Sequence, residues 1–463
     1  MPARRIRVDP ATEMREGFEA VRREAGVPEA FPPEVKKEAE AAAGRPPDRD
    51  RVDVPFVTID PPGSRDLDQA LHIERLGDGH RVRYAIADPG VFVEPGGTLD
   101  RDTHERAVTV YAPDENVPLH PTVLSEGAAS LLPGEWRPAV LWTLELDPSG
   151  ELVSTEVVRA EVRSVAQHTY EAVPDELARL LTEVGERRLE IELARGGITL
   201  AVPEQEVVRE GGAWTTRYRV PLPTEQFNAQ ISLLTGMAAA QLMLHAGHGV
   251  LRTQPEPSER AMRRLRRQAQ ALGVEWPADV SYPDFTRGLD PAVPAHAALL
   301  DAAAELSHGA GYTAFDGSPP PDPGHFAIAA PYAHATAPLR RVQDRYVSEC
   351  CLAAYAGTTP PDWVLAALPE LPRAMQNGSR RAHAVERGVI DLVEAVLLSG
   401  REGESFEAVV IDDQLVQLRD PPVRAKLDEG CPPPGSEVVV RLDRADPATR
   451  TVTFAAPAAT SSS

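Results

Sequence analysis

Three carboxylates fall within nine residues of the segment 58–70 (TIDPPGSRDLDQA): Asp60, Asp66 and Asp68, with the turn Pro61-Pro62-Gly63-Ser64 after the first. If the chain is extended over 66–74, Asp66 and Asp68 share one face, while Leu67, Gln69, Leu71 and Ile73 share the other. The turn can fold Asp60 back toward the pair. Carboxylates held this close repel one another and tend to take up protons unless a cation sits among them. Oxygen-rich, hard sites of this kind select Mg2+ or Mn2+. On these residues alone, the competing reading is a solvated acidic turn.

A second chemical segment is 332–345 (YAHATAPLRRVQDR). Thr336 can cap a helix with Pro338 in its first turn, and Leu339, Val342, Tyr346, Val347 and Cys350 make an apolar stripe, so the spacing predicts a helix over 337–355. Arg340 and Arg341 then sit at the positive end of the helix dipole, where an anion such as phosphate would convert a mild penalty into binding. The plainer alternative places Arg341 and Arg345 on a solvated face, shielded by Asp344.

The elements that must position these residues divide the chain. Two short helices, near 11–25 and 33–43, precede a linker at 44–51 and could form a helix-turn-helix-like unit. Strand patterns follow at 54–59, 67–75, 81–88 and 139–165. Helical periodicity then runs over 174–195, 225–246, 256–272, 295–307 and 379–398. From Glu404 the runs FEAVVI, QLVQL, SEVVVRL and TVTFA suit a small OB-type barrel of about five strands. The expected class is α+β, with a helical segment at 1–50, a main domain at 51–400, a barrel at 401–457 and a disordered tail at 458–463.

The 463 residues carry Lys+Arg 48 against Asp+Glu 70, a net charge of −22. That balance argues against a generic nucleic-acid binder, and against DNA binding by residues 1–50. The positive charge is nevertheless clustered: 252–267 holds Arg252, Arg260, Arg263, Arg264, Arg266 and Arg267. No apolar run reaches membrane-spanning length, the charged N-terminus has no signal-peptide pattern, and three cysteines without a CxxC pair suggest neither a disulfide framework nor zinc. The expectation is a soluble cytoplasmic protein.

The segments TIDPPGSRDLDQAL, IADPGVFV (86–93), LDRDTHERAVTVY (99–111), PLHPTVLSEGAASLLP (118–133), HFAIAAPYAHATAPLRR (325–341) and AVERGVIDLVEAVL (384–397), in this order, resemble the RNB domain of the RNase II and RNase R exoribonucleases. The resemblance implies a catalytic domain with a mixed sheet surrounded by helices, and a C-terminal OB-fold that binds RNA. It implies processive 3′→5′ hydrolysis of single-stranded RNA to nucleoside 5′-monophosphates by a monomer, with two Mg2+ ions, or Mn2+, during catalysis. Residue by residue, Asp60, Asp66 and Asp68 match three of four catalytic aspartates, and Asp68 the one most closely tied to catalysis. Arg340 matches the arginine at the scissile phosphate, with Arg341 beside it as a further RNA contact. Tyr111 matches the aromatic that stacks on the 3′-terminal nucleotide, and Glu386 a glutamate that contacts the last nucleotides.

The sequence departs from that family in three places. The fourth aspartate is Gln69, which could ligate a metal only through its weaker carbonyl oxygen; a catalytically impaired RNA-binding relative is the alternative this raises. Only some fifty residues precede the first motif, too few for the two cold-shock domains common in the family. The helix at 226–246 lacks a glutamate that the family usually carries there.

Overall fold

The computed structural model describes residues 14–455 apart from 29, 46, 199–203, 211–212, 220, 292, 307–308, 413, 422 and 428–430; the expected tail at 458–463 lies outside the described residues. Helices α1 (Arg15–Glu24) and α2 (Pro33–Ala43) open it. They do not share a core. Phe18 and Val21 of α1 pack with Val385, Val389 and Leu392, whereas Val35 and Ala39 of α2 join Phe92, Leu99 and Leu124. Each is tied to a different part of the body, which leaves no helix-turn-helix unit.

Strands β1 (Arg51–Ile59), β2 (Gln69–Leu76), β3 (Gly79–Ala87), β4 (Trp136–Leu146) and β5 (Leu152–His168) close into a barrel. Neighbours are antiparallel except β5, which returns parallel to β1. The mixed sheet is therefore closed, with no edge left unpaired. Successive strand residues alternate between two cores. Leu71, Ile73, Val82, Tyr84, Ile86, Val140 and Trp142 enter one, and Ala70, Ala85, Ala87, Ala139, Leu141 and Val162 the other. The first core is completed by α4 (Asp175–Ala194) and α5 (Pro223–Ala246), and the second by α3 (Thr98–Arg106), a helix the pattern did not show.

α5 has no single apolar stripe and is buried over most of its length between Phe227 and Met243, with Ala229 and Gln241 exposed. Its Gly236 accepts the Ala333 amide at 3.0 Å. A Cβ there would lie 2.2 Å from the Tyr332 ring, so only glycine lets the 332–341 segment lie directly on this helix.

Hairpin β6 (Glu204–Glu210) and β7 (Ala213–Arg219), and the pair β8 (His248–Thr253) and β9 (Gly311–Asp316), form small separate sheets. Helices α6 (Glu259–Ala271), α7 (Tyr282–Arg287) and α8 (Pro294–Leu306) build a core of their own around Leu265, Phe285 and Leu299. Helices α9 (Val342–Ala356), α10 (Asp362–Ala367) and α11 (Leu371–Leu398) lead to a second closed barrel. Its strands are β12 (Ser405–Asp412), β13 (Leu415–Leu418), β14 (Arg424–Leu427), β15 (Glu437–Asp446) and β16 (Thr451–Ala455), in the order β12-β13-β14-β16-β15.

Two boundaries differ from the expected ones. α11 starts at Leu371, with Pro372 in its first turn, well before 379. α9 starts at Val342 with Arg341 as its N-cap, not at 337. Residues 337–341 form a turn held from outside: the Thr109 amide donates to Arg340 O at 3.0 Å, and the Val342 amide to Ala107 O at 2.9 Å. Long-range backbone pairing thus overrides the local capping signal.

Candidate active site

The acidic segment is a loop clamped on both sides rather than the start of a strand. The Leu67 amide donates to Ser130 Oγ at 3.0 Å, Leu131 N–H donates to Leu67 O, and Gln167 Nε2 donates to Ser64 O at 2.9 Å. β2 begins only at Gln69, so strict alternation does not reach back to Leu67. Leu67 consequently enters the same core as Ala70, not that of Leu71 and Ile73. The Asp68 carbonyl accepts from the Ala87 amide at 2.8 Å, which fixes Asp68 at the mouth of the β2–β3 pair.

Asp68 is 5% exposed. Its Oδ1 accepts the Leu339 amide at 2.8 Å, and its Oδ2 accepts Arg340 Nε at 3.2 Å. Burial pushes its carboxyl up to about 7; Arg340 and the Leu339 amide pull it down, and the charge of Asp66 adds to the rise. Tyr111, 40% exposed, donates its hydroxyl to Asp66 Oδ2 at 3.3 Å. Although burial works against its charge, Arg340 holds its proton more tightly than usual because of Tyr111 and Asp68. Asp66, Asp68, Tyr111 and Arg340 therefore form one electrostatically coupled group. A small pocket of mixed polar and apolar lining opens beside it, bounded by Asp66, Thr109, Asn116, Pro118, Thr122, Ser125, Glu126 and Leu339.

The other expected site residues fall elsewhere. Asp60, half-buried, anchors its amide on His168 O at 3.0 Å, and its charge is felt at Tyr84. Gln69 is not turned outward as a metal ligand. Its Oε1 accepts the Tyr84 hydroxyl at 2.5 Å and its Nε2 donates to Thr336 O at 2.6 Å. Both ends of the amide are thus committed, one to the Tyr84 hydroxyl, which is 1% exposed and also reaches Ser232 Oγ at 2.9 Å, the other to a backbone carbonyl.

Arg341 is likewise not presented as an RNA contact, nor does it lie on a solvated face. Its Nε and Nη2 grip fully buried Asp344 at 3.0 and 2.7 Å, and Asp344 also accepts the Ala337 amide. Arg345, also buried, binds Asp100 and Val93 O. Glu386 lies on α11 with its carboxylate 3.5 Å from His383. Among the described residues, no hydrogen bond or ion pair links it to the three aspartates. Tyr84 and the backbone N–H of Leu339 carry the site's geometry without a signal in the sequence, whereas Asp344, expected to shield Arg341 and Arg345 on a solvated face, is buried and holds Arg341.

The donor set suits a hard dication in its chemistry. Asp60, Asp66 and Asp68 offer only oxygen, and the mutual repulsion of Asp66 and Asp68 is what a cation relieves. It does not make a closed shell: among the described residues, no three His, Cys, Asp or Glu side chains converge to hold an ion. Nor is any described helix long and apolar enough to cross a membrane.

Comparison with known proteins fits this architecture. The RNB domain profile matches residues 48–356, and the RNase II-type exonuclease C-terminal S1 domain matches 404–456. Ribonuclease R of Escherichia coli is 27% identical over 431 residues, covering 83% of this chain and 50% of the relative, so the chain spans about half the length of that protein. Mycoplasma genitalium RNase R, solved in complex with ribose-methylated single-stranded RNA, superposes with a TM-score of 0.83 at 17% identity, covering 95% of this chain and 77% of that one. Yeast Ssd1, a pseudonuclease, superposes with a TM-score of 0.65 at 18% identity, covering 81% and 50%. The matched profile spans well over half of the sequence, and the chain belongs to the RNB-domain family.

Proposed function

We propose that this chain is a cytoplasmic, hydrolytic 3′→5′ exoribonuclease that removes nucleoside 5′-monophosphates from single-stranded RNA. The observation that carries the reading is the buried Asp68 carboxylate, shared between Arg340 and the Leu339 amide and flanked by Asp66 and Tyr111. Arg340 offers a scissile phosphate a charge-assisted donor that is already oriented by Asp68, so little reorganisation is needed as negative charge builds. Tyr111 sits at the exposed rim, where its ring can stack under a terminal base without sequence preference. The pocket beside Asp66 supplies hydroxyl and amide groups for a sugar.

Exoribonucleases of this family use divalent metal, generally Mg2+; held by Asp60, Asp66 and Asp68, it would activate water and neutralise the leaving oxygen. With Gln69 committed to Tyr84 and Thr336, and no closed shell of protein donors among the described residues, an ion here would complete its coordination with water and phosphate oxygens.

Gln69 also favours a second reading, an RNA-binding relative without turnover. A time course on 5′-end-labelled single-stranded RNA with Mg2+, Mn2+ or EDTA separates the two. Metal-dependent shortening to a small limit product supports the exoribonuclease. Intact RNA in every lane, with RNA bound in a parallel shift assay, supports the non-catalytic relative.

A further inference from the structure

The arginines of 252–267 do not converge on the site described above. Four of them, Arg260, Arg263, Arg264 and Arg267, are exposed on α6. Their spacing of three and four residues puts them on one helical face. Leu265 and Ala269 are buried on the opposite face, in the core shared with α7 and α8. Arg266 leaves the stripe: its guanidinium lies over the Trp276 ring, 4.2 Å from the centroid. Glu259 in the first turn pairs with Arg263 at 2.9 Å, but both side chains are more than half exposed, so a phosphate can displace the carboxylate.

The flank of α6 is fixed to the C-terminal barrel. Gln268 Nε2 donates to Ile411 O of β12 at 2.7 Å. The Gly435 turn lies so close to Leu272 that a Cβ would sit 2.7 Å from its side chain, and Gly435 N–H donates to Val410 O of the same strand. Beyond β12 come β13 and β14, the second and third strands of the barrel and the usual nucleic-acid face of an OB-fold. The stripe is thus a band of positive charge on an otherwise acidic protein, placed beside an RNA-binding module.

We propose that Arg260, Arg263 and Arg267 hold the phosphate backbone of single-stranded RNA lying 5′ of the segment in the catalytic pocket, extending the barrel's binding track along α6. This rests on the reading of the chain as an RNA-binding RNB protein. The contacts are to phosphates, so they carry no base preference, and their strength falls steeply with salt.

The test is fluorescence anisotropy of the full chain in EDTA, with single-stranded RNAs of about 5 and about 25 nucleotides, across a range of NaCl that spans the counterion-release regime. The triple variant Arg260→Gln/Arg263→Gln/Arg267→Gln should lower the slope of log K against log salt for the long RNA by about 2, at about 0.7 per lost phosphate contact on a single strand. Binding of the short RNA should be unchanged, and the matching Arg→Lys triple should restore the slope because only charge is needed. An unchanged slope overturns the stripe and redirects it to some other polyanion. So does equal weakening of both RNAs, or failure of the Lys triple to restore the slope. Wild-type protein that binds neither RNA overturns both this proposal and the functional reading; wild-type binding with an unaltered slope in the variant overturns this proposal alone.

Discussion

Arg340 Nε lies 3.2 Å from Asp68 Oδ2 across 272 residues of chain, and this pair joins the acidic loop to the turn that precedes α9. Asp68→Asn keeps an oxygen for the Leu339 amide and the same shape, but removes the charge that orients Arg340. Mononucleotide release should fall by at least about 100-fold, the scale for losing one oriented electrostatic contact, while RNA affinity is retained. Near-normal release from this variant would show that Asp68 is not the central carboxylate.

The same carboxyl sets a pH dependence of stability. Burial pushes it from 3.8 up to about 7 despite Arg340. An acid whose folded pKa stands above its unfolded value binds more protons when folded, so stability falls as pH rises between the two values. In EDTA, the thermal midpoint of the wild type should drop relative to Asp68→Asn from pH 4 to 7 and level off above. A gap that stays constant over that interval would contradict the raised pKa.

Gln69→Asp tests what the amide does. An aspartate is one methylene shorter and has no N–H to donate to Thr336 O, while Tyr84 keeps Ser232 as a partner, so metal-free stability should fall by about 1–3 kcal/mol, the cost of a buried acceptor left without its donor. Added Mg2+ should recover the loss and raise RNA turnover at low Mg2+. Thermal unfolding with and without Mg2+, alongside activity, decides it: a variant that is destabilised and indifferent to Mg2+ would mean that this position has no part in ion binding.

Tyr111 separates binding from folding. Its ring is exposed and its hydroxyl reaches Asp66 at a long 3.3 Å, so Tyr111→Ala should leave the thermal midpoint within about a degree, as surface substitutions do. Affinity for short RNA should weaken by the about 1–3 kcal/mol of one base stack. Tyr111→Phe should keep most of that affinity. Should Phe behave like Ala in anisotropy measurements, the hydroxyl and not the ring is the working group.

Most elements of this fold are legible in the sequence because their signals are local. Pro33 and Gly44 bracket α2 as the pattern predicts, the period-two stretches become barrel strands, and the aspartates advertise themselves by density. What sequence reading misplaced depends on partners distant in the chain. Thr336 and Pro338 look like a helix start, yet backbone bonds to residues 107 and 109 hold that stretch as a turn. Arg340 and Arg341 look equivalent, yet one faces Asp68 and the other is sequestered by Asp344. Gln69 looks like a weakened ligand, and only the fold brings Tyr84 and Thr336 to its two ends. The stretch 98–106 shows little apolar periodicity because its helix is pinned by Glu38 at its N-terminus and by Arg106 bonds to Pro28 and Ala30.

α11 has 28 residues, which makes it a rod about 42 Å long at about 1.5 Å per residue. Near one end Gly378 abuts Ala107, and Arg381 donates to the carbonyls of Glu105 and Arg106. Near the other end Glu394 accepts the Arg424 amide at 3.1 Å and Leu398 enters the barrel core. Residues 107–109 are the ones that hydrogen-bond the Arg340 turn, and Tyr111 follows directly. The C-terminal barrel and the turn that carries Arg340 are consequently braced by one rigid strut: a single helix sets the spacing between the two halves of the molecule.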